Sequence, residues 1–448
     1  MPPDGAVMMA ELAALVPGAA VDGKPQTDIA GVAPAVRVTP TTVRELQDIV
    51  GWASKRRLAI AALGGGTTLG VGNPPSRLDL VIDTGRLSSI IDYDAEDLVL
   101  TAQAGATIHR LRSMVRRDSL VTPLDPRSSD RATIGGVIAC AEHGPRRRHY
   151  GGLRDLVLGM KVVLPDGGLA NFGGRVLKNV AGYDMGKLFI GSIGTIGIIA
   201  EASVRLLPSA ASEELLLVPV AGLEEGRRLV TKILESVLLP SALELLSPGC
   251  AGLLGLDRRV ASPESPYLML IALEGHSAAV ERELRDISAF CAESSPGLEA
   301  RRASGIGLAP DDCWESFGGL RAGARSEGYP VALRATAPLA CVWDVATAVE
   351  EYSRANSIAS AYTMSCGTGY LEAYAAGSPA DLRTYALAVR SRAEDLEGAV
   401  TVLDGWSELG REFDAWGARR TDYALIQAVK QKYDPEGIMN PGRFVGGL

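Results

Sequence analysis

An apolar run, Leu58-Ala59-Ile60-Ala61-Ala62-Leu63, ends directly in Gly64-Gly65-Gly66-Thr67-Thr68-Leu69-Gly70. The run reads as a buried strand. Three adjacent glycines at its end leave backbone N–H groups bare and permit positive φ. Such a loop can fold over an anion, with the two threonine hydroxyls as further donors. That is the chemistry of a pyrophosphate cradle delivered from a strand end, although in a chain with 51 glycines the loop also reads as a plain turn. Two later stretches repeat the pattern. Ala132-Thr133-Ile134-Gly135-Gly136-Val137-Ile138-Ala139 follows Pro123-Leu124-Asp125-Pro126. Lys178-Asn179-Val180-Ala181-Gly182-Tyr183-Asp184 runs toward Gly191-Ser192-Ile193-Gly194-Thr195-Ile196-Gly197-Ile198-Ile199. Glycine clusters that each adjoin an apolar run point to one long ligand threaded between segments.

With 448 residues, two domains are expected. Net charge is −8, from 45 basic and 53 acidic residues, which argues against general nucleic-acid binding. No run approaches the ~18 apolar residues of a membrane-spanning helix. The first residues lack the basic start and apolar block of a signal peptide. The cysteines (140, 250, 291, 313, 341, 366) include no CxxC pair. They read as buried thiols in a reducing compartment, not as a disulfide frame, a zinc site or an iron–sulfur ligand set. The expected location is cytoplasmic, or peripheral at the inner membrane through a complex.

Residues 1–30 show little periodicity beyond a short helix over 8–15. Thr42 and Glu45 stand at capping-box spacing before a helix whose apolar face carries Val43, Leu46, Ile49, Val50 and Ala53. Strands are expected over 58–63, 78–82, 98–102 and 160–164, the last ending at an Asp166-Gly167 turn, with a helix capped by Thr107 running to Arg117. Over 212–420 strands at 215–220 and 267–273 alternate with helices at 223–234 and 276–292. A second half repeats that rhythm, with a strand near Val331, a helix over 338–354, strands over 360–364 and 369–374, a helix over 379–394 and a strand over 399–403.

Several of these residues carry a family resemblance. The 64–70 loop, the Asp125-Pro126 and Thr133-Ile134-Gly135-Gly136 block, Tyr150-Gly151, and Gly194-Thr195-Ile196-Gly197-Ile198-Ile199 resemble the FAD-binding domain of the vanillyl-alcohol oxidase superfamily, also called the PCMH type. Asp434-Pro435-Glu436-Gly437-Ile438-Met439-Asn440-Pro441-Gly442-Arg443 matches its closing motif. Within it, Gly144-Pro145-Arg146-Arg147 and the 176–184 stretch resemble the smaller FAD-binding subunits of bacterial glycolate oxidases. The resemblance is clear over roughly 40–208 and 425–445.

It implies an α+β fold: a two-subdomain FAD domain over 31–210 after an N-terminal segment (1–30), an α+β cap over 211–420, and a segment over 421–448 returning to the FAD domain. It implies noncovalent FAD held by Gly64, Gly65, Gly66, Thr67, Thr68, Leu69, Asp125, Pro126, Thr133, Ile134, Gly135, Gly136, Gly144, Tyr150, Gly151, Gly194, Thr195, Gly197, Ile198, Ile199 and Asn440, with Arg443 as a secondary candidate. Lys178 and Tyr183 are the polar groups expected near the isoalloxazine, where a cation would stabilise reduced anionic flavin. A surface lysine and a packed tyrosine are the alternative. The Arg146-Arg147-Arg148 run is either a solvated loop or a site for an anion or partner.

The cap departs from the family. Metal-bearing relatives carry a motif resembling H-x-G-D-G-N-x-H there. The corresponding 362–372 stretch, Tyr-Thr-Met-Ser-Cys-Gly-Thr-Gly-Tyr-Leu-Glu, has no histidine. The usual Thr-Asn-Ala-Gly-Gly is replaced by Cys140-Ala141-Glu142-His143-Gly144, where lone His143 reads as structural or flavin-adjacent, or less readily as a base. No metal is expected. The resemblance therefore implies an FAD subunit of a glycolate-oxidase-like complex. It would work with a paralogous flavin subunit and an iron–sulfur subunit on a small 2-hydroxy acid. The alternative is a stand-alone FAD-dependent dehydrogenase or oxidase of a hydroxy acid or alcohol. A P-loop kinase is excluded, because the 64–70 loop lacks the lysine of G-x-x-x-x-G-K-[ST].

Overall fold

Thr42 opens the first well-defined helix, Val43–Lys55, through the expected capping box. Its Oγ1 accepts from Glu45 N at 3.1 Å and the Glu45 carboxylate accepts from Thr42 N at 3.3 Å. The helix buries Leu46, Ile49, Val50 and Ala53, and Trp52 Nε1 ties it to Glu11 on the N-terminal helix Gly5–Leu15. The computed structural model describes residues 4–23, 25, 27–175, 183–294, 297–419 and 421–448. The chain divides into two units. One comprises Met1–His143, Gly152–Ser209 and Phe413–Leu448, the other Gly144–Gly151 and Ala210–Glu412.

The first unit holds two main sheets. Strands β1 (Ala20–Gly23), β2 (Val36–Thr39), β3 (Ile60–Leu63) and β4 (Leu80–Asp83) form a mixed sheet in the order β1-β2-β4-β3, with β4 parallel to both β2 and β3. Strands β5 (Ile90–Asp94) and β6 (Val99–Gln103) begin the second sheet, and β7 (Leu120–Val121) lies apart. Strands β8 (Val157–Val163), β9 (Leu169–Gly173) and β10 (Ile198–Arg205) complete the antiparallel order β5-β6-β10-β8-β9, and β11 (Leu207–Pro208) pairs with β7. Strand β10 is buried from Ile198 to Val204, Glu201 and Ser203 included, so its burial does not alternate.

The C-terminal segment closes this unit. Ile60 N donates to Ile438 O at 2.8 Å and Asn440 N to Ile60 O at 2.7 Å, so the closing motif lies parallel to β3. A buried lysine locks it there. Lys430, on the helix Tyr423–Tyr433, donates to Thr195 O at 2.7 Å and Met439 O at 2.9 Å and pairs with Asp434. Asp434 in turn accepts from Ile438 N and Met439 N. Burial holds the Lys430 ammonium below its usual pKa, and Asp434 opposes that shift.

The second unit is one eight-stranded sheet, and the repeated rhythm of the sequence is its plan. Strands β12 (Ser212–Val220), β13 (Ala242–Leu246), β14 (Tyr267–Gly275) and β15 (Arg301–Arg302) form one half. Strands β16 (Val331–Thr336), β17 (Ala359–Ser365), β18 (Tyr370–Ala376) and β19 (Ala399–Asp404) form the other. The order is β15-β12-β14-β13-β17-β18-β16-β19. Each half is a β-α-β-β-α-β arrangement, and the second is the mirror order of the first. They join at β13 and β17 through only three paired positions, Glu244↔Ser365, Leu245↔Met364 and Leu246↔Thr363.

One stretch that the sequence left unassigned is a helix, and one expected helix is shorter. The stretch after Thr133 is a helix, Ile134–Cys140, because Thr133 Oγ1 caps it by accepting from Gly136 N at 3.4 Å. The helix capped by Thr107 ends at Val115, where the chain tightens into a short turn, Arg116–Asp118, before Ser119 takes φ of 56°.

Candidate cofactor site

The three glycine stretches meet. A groove of about 730 Å³, part of it open to solvent, lies in the first unit between the loop after β3, the Ile134–Cys140 helix and the turn before β10. Gly64, Gly65, Gly66, Thr67, Thr68, Leu69, Thr133, Gly135, Gly136, Gly194, Gly197, Ile198, Ile199 and Asn440 line it, as does Arg443.

The glycines serve two different ends. A Cβ on Gly65 would fall 1.7 Å from Arg131 O, and one on Gly64 would fall 2.3 Å from Thr133 Oγ1. These two let the first loop seat on the 131–133 backbone. Gly135 is pressed on Ala104, and Gly197 on Val162 and Phe189. Gly136 and Gly194 are different: beyond their own local backbone, a Cβ there would meet among the described residues only Thr133 Oγ1 at 3.3 Å and Gly197 O at 4.0 Å respectively. Their missing side chains belong to the open groove, and Gly194 also takes φ of 68°.

The polar lining comes from the closing motif. Asn440, 5% exposed, donates Nδ2 to Ile193 O at 2.6 Å and leaves its Oδ1 without a protein partner among the described residues. Arg443, 3% exposed, donates to Leu69 O at 2.8 Å and to Val71 O, while its Nε has no partner among them. Burial pushes the Arg443 guanidinium down to about 10, opposed by Cys140. It still carries its charge at neutral pH. A buried cation compensated chiefly by backbone carbonyls favours an anionic ligand. Cys140 Sγ lies 3.1 Å from Thr68 Oγ1 across the same wall.

Small-residue walls, unfilled glycine positions, an orphaned amide oxygen and a buried cation together fit an extended, anionic dinucleotide such as FAD. The glycine-bearing loops would carry it, and Asn440 and Arg443 would add polar contacts.

Other residues singled out in the sequence lie elsewhere. Asp125 accepts from Arg112 Nη2 at 3.0 Å, Pro126 is buried, and Ile134 is in the core. Thr195 lies just behind the groove, donating Oγ1 to Ser192 O at 2.7 Å. Gly144, Tyr150 and Gly151 belong to the second unit, where Tyr150 Oη donates to Glu274 at 2.5 Å. Burial, reinforced by Glu274, raises that phenol well above its usual range. Tyr183 is 94% exposed, and Lys178 lies outside the described residues. Thr84, Ala104, Ala139 and Ile193 also line the groove, and only their neighbours marked them in the sequence.

Comparison with known proteins agrees with this geometry. Residues 34–173 match the FAD binding domain family, and residues 410–444 match the C-terminal domain of FAD linked oxidases. The fold is shared with p-cresol methylhydroxylase with substrate bound, at a TM-score of 0.70 and 16% identity, over 98% of this chain and 96% of that one. The chain is an FAD-linked oxidoreductase that carries these two domains on the fold of p-cresol methylhydroxylase. Relatives that it matches over most of both lengths include enzymes named for hydroxy acids. Glycolate oxidase subunit GlcD of Bacillus subtilis (strain 168) is 28% identical over 92% of this chain and 89% of its own length. D-lactate dehydrogenase of Archaeoglobus fulgidus is 28% identical over 92% of each chain.

Proposed function

We propose that this chain is an FAD-dependent oxidoreductase acting on the CH–OH group of a small 2-hydroxy acid, as the flavin subunit of a complex resembling bacterial glycolate oxidase. A paralogous flavin chain and an iron–sulfur chain would be its partners. The groove and the end-to-end likeness to glycolate and D-lactate enzymes support the reaction class. When bound, FAD supplies a hydride acceptor. The chain's own groups hold the dinucleotide on the glycine-bearing loops, place the Arg443 cation beside it, and exclude water along the apolar wall of Ile193, Ile198 and Ile199.

One observation supports the complex over a self-sufficient enzyme: the commitment of Glu372. This carboxylate sits on β18 in the stretch where relatives would place metal ligands. Here it accepts from Arg321 Nε at 3.0 Å and Nη2 at 3.3 Å, and Arg334 lies 3.7 Å away. A carboxylate neutralised by two guanidinium groups is a poor ligand for a divalent cation. Among the described residues no cluster of three histidine, cysteine or acidic side chains is spaced for a metal.

The test is anaerobic flavin bleaching. The isolated holoprotein should be reduced slowly by glycolate or D-lactate, with no gain from Zn²⁺ or Mn²⁺. Co-purified partners should restore fast reduction. Rapid bleaching of the isolated chain would favour the stand-alone dehydrogenase, the reading that the full-length likeness to D-lactate dehydrogenase keeps in play.

A further inference from the structure

One face of the second unit's sheet carries a run of charged and hydroxyl side chains. Paired residues on neighbouring strands point the same way. The pairs Glu244↔Ser365, Ser365↔Tyr370, Thr363↔Glu372, Arg334↔Glu372 and Thr336↔Tyr370 therefore share a face. Tyr362 alternates to the other side, where its hydroxyl reaches Glu350 on the helix Val342–Ala355. On the charged face the carboxylates are engaged. Glu274 is met by Tyr150 and by Arg146 at 3.3 Å, Glu372 by Arg321 and Arg334, and Glu244 by the Ser365 hydroxyl.

Two cations on this face stand outside that pairing. Arg147 and Arg148 are half-buried, and among the described residues neither has a carboxylate within ion-pair distance. Arg147 lies over the Tyr370 ring, 4.9 Å from its centroid, and donates to the Tyr370 hydroxyl. Arg148 is laid along the turn between β17 and β18, because a Cβ on Gly367 would come within 2.7 Å of its Cδ. Gly367 is thus what lets the arginine stem rest there. Two half-buried guanidinium groups that flank the same strand pair without counter-charge favour an anion beside them.

We propose that Arg147 and Arg148, with the Tyr370 hydroxyl, form an anion site over the β17–β18 turn, and that it takes the carboxylate of a small hydroxy acid. The ligand class rests on the hydroxy-acid reading above. The site itself rests on the unmatched charge. Guanidinium groups bind a carboxylate through directed, charge-assisted hydrogen bonds and keep their charge across the working pH range.

The probe is oxalate, an unreactive dicarboxylate, titrated calorimetrically into the full-length holoprotein. Wild type should bind it saturably. R147Q/R148Q should bind it roughly tenfold to a hundredfold more weakly, with FAD content unchanged. R147K/R148K, which keeps both charges, should retain part of the affinity. Gly367→Ala should weaken binding with both arginines present, by displacing the Arg148 stem. Absence of oxalate binding to wild type, or equal affinity in R147Q/R148Q, overturns the site. Flavin reduction by glycolate with the same KM in wild type and R147Q/R148Q removes the site and leaves the hydroxy-acid reading standing. Arginine-dependent oxalate binding without bleaching by any hydroxy acid keeps the site and removes that reading.

Discussion

Gly136→Ala should raise the stability of the apoprotein and weaken FAD binding at the same time. Gly136 lies in the first turn of the Ile134–Cys140 helix, where alanine is favoured over glycine by about 0.5–1 kcal/mol. The new Cβ would lie 3.3 Å from Thr133 Oγ1, a contact relieved by a shift of a few tenths of an ångström. Beyond the helix's own backbone, no other described residue stands within 4 Å, so the methyl group enters the groove. Overpacking a fitted ligand costs about 1–3 kcal/mol, or roughly 5- to 150-fold in affinity. Gly65→Ala is the control. Its Cβ would fall 1.7 Å from Arg131 O, so the two loops must separate and both properties should fall. Thermal melts of apoprotein and fluorescence titration with FAD separate the cases. The assignment of Gly136 to the ligand side is refuted if G136A binds FAD within twofold of wild type, or if G136A and G65A lose stability alike.

Lys430→Met should cost about 3–5 kcal/mol, because it strands Asp434 as a buried unpaired charge. Urea unfolding measures the loss, and K430M/D434N should recover part of it. Native protein should show two thiols reactive toward Ellman's reagent at pH 8, Cys140 and Cys341, with FAD shielding Cys140. Cys250 and Cys366 are buried, and burial pushes Cys291 up to about 11 and Cys313 up to about 12, so these four should react only on unfolding. Buried Tyr385, with Tyr150, Tyr267 and Tyr362 beside carboxylates, has its phenol pKa raised by burial. The folded state therefore binds these protons more tightly than the unfolded chain. Their contribution is complete below about pH 10 and lost above it. Absorbance at 295 nm should show them titrating together with alkaline unfolding, and free titration in the native protein would contradict the assignment.

Much of the groove was legible because its residues are small, in order, and attached to apolar runs. What could not be read was which surface each glycine serves. Gly64 and Gly65 owe their identity to Thr133 and Arg131, contacts set by tertiary folding and invisible to local pattern. Ala139 and Ile193 are chemically plain residues delivered to the wall by their neighbours. Asp125 and Tyr150 belong to the matching motif, yet Arg112 and Glu274 hold them. In the second unit the alternation of strands and helices was readable as a repeat. The joining of its halves through β13 and β17 was not, since three paired positions leave little periodic trace. The arginine run was ambiguous until the face showed which of its members lack a carboxylate.

The parallel pairing of Ile60 with the closing motif sets a clock on biosynthesis. Strand β3 leaves the ribosome about 380 residues before Ile438 and Asn440, the groups that satisfy its edge. At ~5–20 residues per second that wait is roughly 20–75 s. Throughout it the first glycine loop has no Arg443 beneath it, and Ile60 offers an open N–H and C=O. The groove therefore stays incomplete until residues 438–443 are made, so cofactor capture must wait for them. A chain cut short before Ile438 would have its glycine loops made and no Asn440 or Arg443 to hold them to a flavin.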